Sequence, residues 1–465
     1  MIESGTPIRA RRTRPVTRAI AASLALALIC ASAPAKAQQR SIPLIRDAEI
    51  EQLLRDYAAP VLRAAKLSKQ NVRIVIINDR SFNAFVMDGR HIFINAGTLL
   101  ESKSANEVIG VLAHETGHLA GGHLSRLRER MASAQTQSIV AMIAGLGAAI
   151  AVARSGSGSA GMGAILAPQE AIRRSFLSYV RAQEDQADHA AVNFLNATGQ
   201  SPKGMYDTFK RMSSETMFIA QGVDSYSQTH PMPADRVAAL EGIAKASPYW
   251  SKADSAELQQ RHDLMRAKLV GFLDRADSVA RRYPPSDQSL SARYARAIAT
   301  YRRADIRKAL EEIDALIQAQ PSNPYFHELK GQALLESGRG ADAIAPLRRA
   351  VQLAPQPALI QIMLAQALIA KGDAKNAEEA VGLLRSAITR EPEASSAYAQ
   401  LAMAYGKKGD LAHADLASAE AAFYRGDFSA ATMLATRAKT RLAVGSPAWV
   451  RADDIVSAKA KTKAN

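Results

Sequence analysis

The sequence predicts a mostly α-helical protein in which an α+β domain with a small sheet precedes an α-helical solenoid. Two short runs rich in β-branched residues, 71–78 and 91–97, predict two neighbouring strands. Long segments of helical character follow, and from about residue 290 prolines and small residues recur with a period of 34. A chain of 465 residues can hold two or three such domains.

The first 37 residues have the composition of a secretory signal peptide. Five arginines precede an apolar core at 19–33, and the small residues Ala35 and Ala37 mark a cleavage site before Gln38. We therefore expect an exported protein that is cleaved near Ala37; an uncleaved membrane anchor is the alternative. Cys30, the only cysteine, would leave with this segment, so the mature protein would have no disulfide.

The net charge is strongly positive, +15 for the whole chain. It falls to +10 when the six Lys and Arg and the one Glu of residues 1–37 are removed. Because an exported protein rarely meets nucleic acid, we exclude nucleic acid as a partner. We interpret the excess as a solvated surface, with attraction to anionic lipid headgroups as the lesser alternative.

One apolar run raises the question of membrane contact. Residues 138–153 fall short of the roughly twenty residues that span a bilayer. We expect a buried or membrane-grazing helix there, followed by a flexible loop at 154–164.

A predicted helix from about Ser104 to Gly121 carries the pattern H-E-x-x-H at residues 114–118. Residues four apart share a helix face, so His114 and His118 can bind one metal ion, and Glu115 can reach a water on that ion. Metzincin proteases take a third histidine from a position that is Leu124 here. His123 would face roughly the opposite side of a continuing helix, so we do not expect it to be the third ligand.

The third ligand must therefore come from elsewhere in the chain. A catalytic zinc needs three protein ligands and an open position for water. The best candidate is Glu184, on a third predicted helix at about 172–196, with Asp188 four residues later on the same face, where it can orient a ligating histidine. A glutamate ligand from a second helix defines the gluzincin type. On spacing alone, three competitors remain: Glu170, Asp185 and His189.

The C-terminal half has the period of tetratricopeptide repeats, which are stacked pairs of helices. The recurring positions are Pro321, Pro355 and Pro392, Gly338, Gly372 and Gly409, and Ala343, Ala377 and Ala414, with spacings of 34 and then 37. We expect about four units, with the three extra residues inside 375–384. Such arrays bind peptides or proteins on a concave face.

These features predict five segments. They are a signal peptide at 1–37, a zinc metallopeptidase domain at 38–250, a helical linker at 251–289, the repeat domain at 290–445 and a basic, disordered tail at 446–465.

Five motifs carry a family resemblance. "NAF" (83–85), "IFINAGTL" (92–99), "LAHETGHLAGGHLSR" (112–126), "EDQADHAA" (184–191) and "HPMPADR" (230–236) follow the order and approximate spacing of the HtpX/CAAX-prenyl-protease-like zinc peptidases. With a signal peptide before them and repeats after them, the chain resembles the BepA-type periplasmic metalloprotease-chaperones. The resemblance implies one zinc ion per chain, Glu184 as the third ligand and Asp188 as the residue that orients a histidine.

The resemblance also gives His230 and Arg236 two alternative roles. In prenyl-protease relatives the matching residues stabilise the tetrahedral intermediate. In BepA-like proteins the matching histidine can instead be a fourth zinc ligand that holds the enzyme latent. A neutral imidazole can bind zinc and a hydrogen-donating one can stabilise an oxyanion, so both roles are chemically reasonable. We favour the latent fourth ligand for His230.

We therefore expect a periplasmic zinc metalloendopeptidase in which Glu115 is the general base. The resemblance implies chaperone activity in outer-membrane protein assembly and quality control, with unfolded or stalled β-barrel proteins as substrates and the barrel-assembly machinery bound by the repeats. We expect residues 91–95 to offer substrates a strand edge. The main alternative is a non-proteolytic chaperone or adaptor with a structural, four-ligand zinc site. A membrane-integrated stress protease would need several spanning helices, which the sequence does not predict.

Overall fold

A four-stranded mixed sheet lies at the start of the fold. Its strands are β1 (Leu44–Ile45), β2 (Arg73–Ile77), β3 (Ala84–Val86) and β4 (His91–Asn95). Their order is β1-β2-β4-β3, with β2 and β4 parallel and the two outer strands antiparallel to their neighbours. The prediction of two neighbouring strands is confirmed, because Arg73 of β2 stands opposite His91 of β4.

The expectation that residues 91–95 form the sheet edge is wrong. β4 is paired on both sides, and the edges are β1 and β3. β3 was missed because its three residues lie between turn-forming segments, Asp79–Ser81 on one side and Asp88–Gly89 on the other.

The computed structural model describes residues 43–129, 160–218, 230–231 and 233–462. The expected signal peptide at 1–37, the apolar run at 138–153 and most of the loop at 154–164 lie outside these residues. No helix in the described part is long and apolar enough for a membrane crossing.

Two helices cover the sheet and form the centre of the core. Helix α1 (Ala48–Ala64) begins at Asp47, whose side chain accepts a hydrogen bond from the Ile50 backbone N–H. A short α2 (Ala96–Glu101) follows β4. Helix α3 (Ala105–Gly121) begins at Ser104, which caps it in the same way, and it is buried on every side from Ala105 to Gly117.

Two glycines let other helices approach α3 closely. A Cβ atom at Gly110 would lie 2.6 Å from the Met205 Cβ, and one at Gly117 would lie 2.8 Å from the Ala187 carbonyl oxygen. Ala187 belongs to α4 (Ala160–Ala197) and Met205 to α5 (Lys203–Phe218). The absence of a side chain at these positions therefore fixes how near α4 and α5 stand to α3.

The predicted third helix is confirmed, and it is longer than expected. Because α4 begins at Ala160, residues 160–164, which we had assigned to a flexible loop, are helical. Gly161 and Gly163, within a run of apolar and helix-favouring residues, do not stop a helix of 38 residues. Helix α6 (Ala234–Lys245) is the last helix before the segment that we expected to be a linker.

The segment expected to be a linker contains α7 (Ala256–Leu273) and α8 (Ala276–Arg282), and α7 belongs to the core. Met265, Leu269 and Val270 are buried in the same apolar cluster as the sheet and α3. Residues 251–289 therefore hold the two expected domains together by packing.

Ten helices follow from Leu290, as expected for stacked helical repeats. They are α9 (Leu290–Arg302), α10 (Ile306–Ala319), α11 (Pro324–Glu336), α12 (Gly340–Leu353), α13 (Ala358–Lys371), α14 (Ala374–Arg390), α15 (Ser395–Lys407), α16 (Leu411–Tyr424), α17 (Phe428–Lys439) and α18 (Pro447–Thr462). They make five consecutive pairs, one more than the number of units we expected. The three extra residues lie where they were predicted, because α14 has 17 residues and the corresponding α12 has 14.

The expectation of a disordered tail at 446–465 is wrong up to Thr462. Ala452 and Ile455 of α18 are buried against Ala435 and Ala438 of α17. The lysine-rich composition of this segment favoured disorder, but its apolar residues recur at helical spacing and give the last helix a face that can be buried.

Candidate metal centre

Four side chains from three parts of the fold converge beside α3. His114 and His118 come from α3, Glu184 comes from α4, and His230 comes from the segment before α6. One ligand atom from each lies within 4.8 Å of all the others. His114, Glu184 and His230 are buried, and His118 is half-buried. All four sequence-predicted ligands therefore stand together.

Neighbouring imidazole nitrogens and carboxylate oxygens of this cluster lie 3.0 to 3.4 Å from one another, so they face a common centre. The Nε2 atoms of His114 and His118 are 3.0 Å apart, and each lies 3.4 Å from a carboxylate oxygen of Glu184. The His230 Nδ1 atom is 3.3 Å from His114 Nε2 and 3.2 Å from Glu184 Oε2. Three imidazole nitrogens and one carboxylate, all turned inwards, are a donor set that suits a bound metal ion.

The pKa shifts within the cluster have separate causes. Burial would lower the pKa of His114, but hydrogen bonds to Asp188 and Glu184 outweigh it and raise that pKa to about 9. Burial lowers the pKa of His118 to about 3, although Glu184 opposes this shift. Burial would raise the pKa of Glu184, yet the three histidines hold it well below its usual range. The carboxylate therefore stays ionised in a buried site, where a cation would stabilise it.

Glu115 points into the same site without a partner of its own. It is fully buried, and among the described residues neither of its carboxylate oxygens has a hydrogen-bond donor. The His230 Nε2 atom is 3.5 Å from Glu115 Oε1. Burial raises the pKa of Glu115. A buried carboxylate left unpaired beside a metal-binding cluster fits a group that exchanges a proton with a metal-bound ligand.

Asp188 lies where the sequence predicted an orienting residue. Its Oδ1 atom is 2.9 Å from the His114 Nδ1 atom, on the far side of the ring from the cluster. Burial would raise the pKa of Asp188, but Arg236 and His114 lower it. An ionised Asp188 accepts a hydrogen bond from the His114 Nδ1–H group and leaves the Nε2 lone pair of His114 for a metal.

Arg236 pairs with both carboxylates of α4. Its Nε and Nη2 atoms donate to the two oxygens of Asp188 at 2.7 and 2.8 Å, and its Nη1 atom is 2.9 Å from Glu184 Oε2. Its guanidinium group also lies over the Phe209 ring. These contacts direct the guanidinium group to the carboxylates of α4, so the geometry favours a positioning role over the expected oxyanion role.

His123 occupies a position that the helical pattern did not predict. Its Nδ1 atom is 2.9 Å from the His118 Nδ1 atom. The expectation that it faces the opposite side is wrong, because α3 ends at Gly121 and Gly122 has a φ of +62°. This left-handed turn brings His123 back over the end of the helix. The G-G pair before it was the available signal, since a Cβ at Gly121 would overlap the His123 ring.

Asp185 and His189, two of the alternative third ligands, lie outside the cluster. Asp185 and His189 are exposed, and their side chains face each other on the outside of α4, where His189 Nδ1 is 3.6 Å from Asp185 Oδ1. The side chain of Glu170 lies outside the described part of the chain.

The comparisons with protein families match two regions. Residues 44–244 match the model described as Peptidase family M48, and residues 294–358 and 334–401 match two models described as Tetratricopeptide repeat. Among solved structures, MamA covers 36% of this chain at 18% identity with a TM-score of 0.28.

Several curated proteins are similar to part of this chain. The Beta-barrel assembly-enhancing protease of Escherichia coli (strain K12) is 23% identical over 348 residues, which cover 72% of this chain and 68% of that protein. A correspondingly named protein of Vibrio cholerae is 26% identical over 288 residues, or 61% of this chain, and the match spans only 58% of its length. Metalloprotease YcaL of Escherichia coli (strain K12) is 26% identical over 186 residues, 39% of this chain and 67% of that protein.

Proposed function

Because this chain is a metallopeptidase, with a peptidase family M48 domain followed by tetratricopeptide repeats, we propose that it is an exported, zinc-dependent endopeptidase. The observation that carries the proposal is the convergence of His114, His118, Glu184 and His230 beside the unpaired carboxylate of Glu115. Three such ligands and one adjacent general base are the minimum that zinc-dependent peptide hydrolysis requires.

In this proposal His114, His118 and Glu184 hold the zinc ion. When bound, zinc supplies an acidified water and polarises the carbonyl of the peptide bond to be cleaved. Glu115 accepts the proton of the attacking water and passes it to the leaving amine. Burial favours this role, because a raised pKa lets Glu115 both take and release a proton.

Three further residues keep the ligands in place. Asp188 fixes the orientation and the tautomer of His114 by contacting its Nδ1 atom. His123 contacts the Nδ1 atom of His118 in the same way. Arg236 holds Asp188 and Glu184 together, which places the carboxylate ligand and the orienting carboxylate at a set distance.

We assign His230 to a latent state, in which its imidazole is a fourth ligand. Its Nδ1 atom already stands among the other three donors. Replacing it with alanine in the variant His230→Ala is expected to raise basal cleavage of an unfolded substrate while zinc content stays the same. A variant that loses activity would instead support the oxyanion role. His189→Ala, on the exposed side of α4, is the matched control.

A four-ligand site also supports the second candidate function, a chaperone with a structural zinc ion. The variant Glu115→Gln distinguishes the two. It keeps the shape of the side chain, so it should keep stoichiometric zinc by mass spectrometry. It should also lower casein cleavage by about a hundredfold or more, the usual contribution of a general base. Wild-type cleavage that a chelator does not stop, or unchanged cleavage by Glu115→Gln, would contradict the peptidase assignment.

The names of the relatives support a role in β-barrel assembly. We propose that the protein acts in the periplasm on misfolded or stalled β-barrel proteins, and that the solenoid binds them or their assembly machinery. Among the described residues no strand pairs with the outer edge of β3, so this edge can receive an extended substrate. Just after β3, the Arg128 side chain donates to the Met87 carbonyl at 3.1 Å. Capture of barrel-assembly proteins by the full chain tests this role. Met403 and Met433 are exposed on α15 and α17, and replacing both with serine should weaken capture. Unchanged capture would count against these helices as the binding surface.

A further inference from the structure

A partly open cavity of about 330 Å³ lies where the peptidase part meets the solenoid. Its walls come from β1 and the start of α1, from α7, and from the solenoid helices α11 and α13. Most of the lining is apolar, including Ile45, Ile50, Leu269, Phe272, Leu359 and Ile362. We call it the junction cavity. Its size is at the lower end of the range for binding pockets in proteins.

A buried ionic cluster forms the polar wall of the junction cavity. The Lys268 ammonium group, on α7, is 2.8 Å from an oxygen of Asp47, 3.3 Å from Glu49 and 3.7 Å from Glu328. Lys268, Asp47 and Glu328 themselves line the cavity. Three carboxylates thus share one ammonium group, an imbalance that is costly away from water.

Glu328 is the member of this cluster that Lys268 holds least closely, at 3.7 Å. Asp47 also accepts the Ile50 backbone N–H, and Glu49 also accepts the Tyr294 hydroxyl at 2.9 Å. Glu328 is 5% exposed, and among the described residues its Oε2 atom has no hydrogen-bond donor. Burial raises the pKa of Glu328 to about 8, although Lys268 opposes the shift. A second cation in the cavity would stabilise the ionised form of Glu328 and give its Oε2 atom a donor.

The two cationic side chains on the lining, Lys268 and Arg46, are each already bound by carboxylates. Arg46 follows β1, and its guanidinium group is already bound by Glu51 at 2.7 Å and Glu391 at 2.5 Å. Moreover, Ile45 belongs to β1, an outer strand of the sheet. Among the described residues no strand pairs with the outer edge of β1, so an extended segment near the cavity could form backbone hydrogen bonds there.

We propose that the junction cavity binds an extended peptide segment of a client protein that carries a lysine or arginine side chain next to an apolar residue. The apolar walls take the apolar side chain, and Glu328 takes the ammonium or guanidinium group. The proposal rests on the proposed role of the solenoid in holding other proteins, and it does not depend on cleavage.

The test measures peptide binding to the full, zinc-loaded chain by fluorescence anisotropy. The probe is a labelled eight-residue peptide, blocked at both ends, with a lysine between two leucines. Two matched peptides carry norleucine or glutamate in place of lysine. We expect the lysine peptide to bind about tenfold more tightly than the norleucine peptide, the value of one charge-assisted hydrogen bond of roughly 1.4 kcal/mol. Mass spectrometry after each titration verifies that the peptide is intact.

The variant Glu328→Gln removes the charge and keeps the shape, so it should abolish the preference for lysine. Glu379→Gln removes an exposed carboxylate on α14 that pairs with Arg348, and it should keep the preference. Met363→Trp fills the cavity from α13 and should weaken binding of the lysine peptide while far-UV circular dichroism stays unchanged. Equal binding of the lysine and norleucine peptides, a lysine preference that survives in Glu328→Gln, or unchanged binding to Met363→Trp would each overturn the proposal. None of these results depends on Glu115, so a failure here and a failure of the peptidase assignment are distinguishable.

Discussion

At the scale of single residues, the two imidazoles that α3 contributes to the candidate site differ in which group contacts the Nδ1 atom. His114 has Asp188 at its Nδ1 atom, and His118 has His123. A carboxylate behind the ring raises the basicity of the ligand nitrogen more than a neutral imidazole does. In the proposed zinc site the two histidines of α3 would therefore be unequal, and His114 would be the stronger donor.

Removing the partner of His118 should weaken metal binding. His123→Ala leaves His118 free to rotate, and we expect the zinc dissociation constant to rise about tenfold or more, as for other residues that orient a ligand. Competition with a chromogenic chelator measures it. His189→Ala should leave the constant unchanged, because His189 faces Asp185 outside the cluster. An unchanged constant for His123→Ala would mean that the contact with His118 has no part in metal binding.

Another histidine should make stability depend on pH. His262 on α7 is fully buried; its Nε2 donates to the Ser102 carbonyl at 3.0 Å, so its Nδ1 accepts the Tyr57 hydroxyl at 3.2 Å. Burial lowers the pKa of His262 from its ordinary 6.5 to about 4. Between these two values the unfolded chain binds a proton that the folded chain does not. The free energy of unfolding should therefore fall by roughly 3 kcal/mol as the pH falls through that window.

Urea unfolding at neutral pH and near pH 5 measures this effect. His262→Gln can keep a donor toward the Ser102 carbonyl but cannot be protonated, so it should show a smaller loss of stability between the two pH values than the wild type. His189→Gln, at an exposed position, should show the wild-type loss. If His262→Gln and the wild type lost the same stability, the neutral buried state of His262 would be ruled out.

The convergence of His114, His118 and Glu184 could be predicted from the sequence because much of their geometry is local. Four-residue spacing fixes His114 and His118 on one face, and the same spacing relates Glu184 to Asp188. His123 was misplaced because its position depends on one left-handed residue, Gly122, which helical periodicity does not include. The pairing of Arg236 with two carboxylates was also unpredictable, since it depends on how α4 and α6 pack.

At the scale of elements, the site requires α3 and α4 to lie unusually close. Gly117 is the point of contact, with the Ala187 carbonyl oxygen 2.8 Å from where a Cβ would stand. Ala187 lies between Glu184 and Asp188 in the sequence, so any outward shift of α4 moves both carboxylates away from the histidines.

A methyl group at this contact should therefore damage the site. Gly117→Ala is expected to lower the free energy of unfolding by about 1–3 kcal/mol, the usual cost of overpacking, and to weaken zinc binding. Gly382→Ala is the matched control, because Gly382 lies inside α14 and nothing is within 4 Å of its added Cβ. That change should raise stability by up to about 1 kcal/mol. Chemical denaturation and metal titration of both variants measure these effects, and a Gly117→Ala protein with normal zinc affinity would show that α4 has room to move.

Elements with long patterns were predictable, and short ones were not. The 34-residue period specified the helices from Leu290 because each repeat buries the same small residues against its neighbours. β1 and β3 have two and three residues, too few to show a period of two, and only pairing with β2 and β4 makes them strands. For the same reason the sheet edge could not be located from the sequence.

At the scale of the whole molecule, one apolar core crosses the boundary between the two kinds of fold. The cluster that contains the sheet and α3 continues through α7 to Tyr294 of α9 and Phe326 of α11. The rings of Tyr294 and Phe326 meet edge to face at 5.0 Å, and the Tyr294 hydroxyl donates to Glu49 of α1. The last helices of the solenoid, by contrast, bury a separate cluster of their own.

This division predicts that the start of the solenoid unfolds together with the peptidase part, and that its end does not. The two tryptophans report on the two regions, since Trp250 packs against the first cluster and Trp449 against the last. Phe326→Ala removes a fully buried ring and should destabilise the transition that Trp250 reports by about 3–5 kcal/mol. Leu442→Ala, in the last cluster, should change the Trp449 transition alone. Single-tryptophan variants unfolded in urea separate the two signals. If Phe326→Ala left the Trp250 transition unchanged, the peptidase part would be stable without the repeats, and the junction cavity would lie between independent domains instead of within one core.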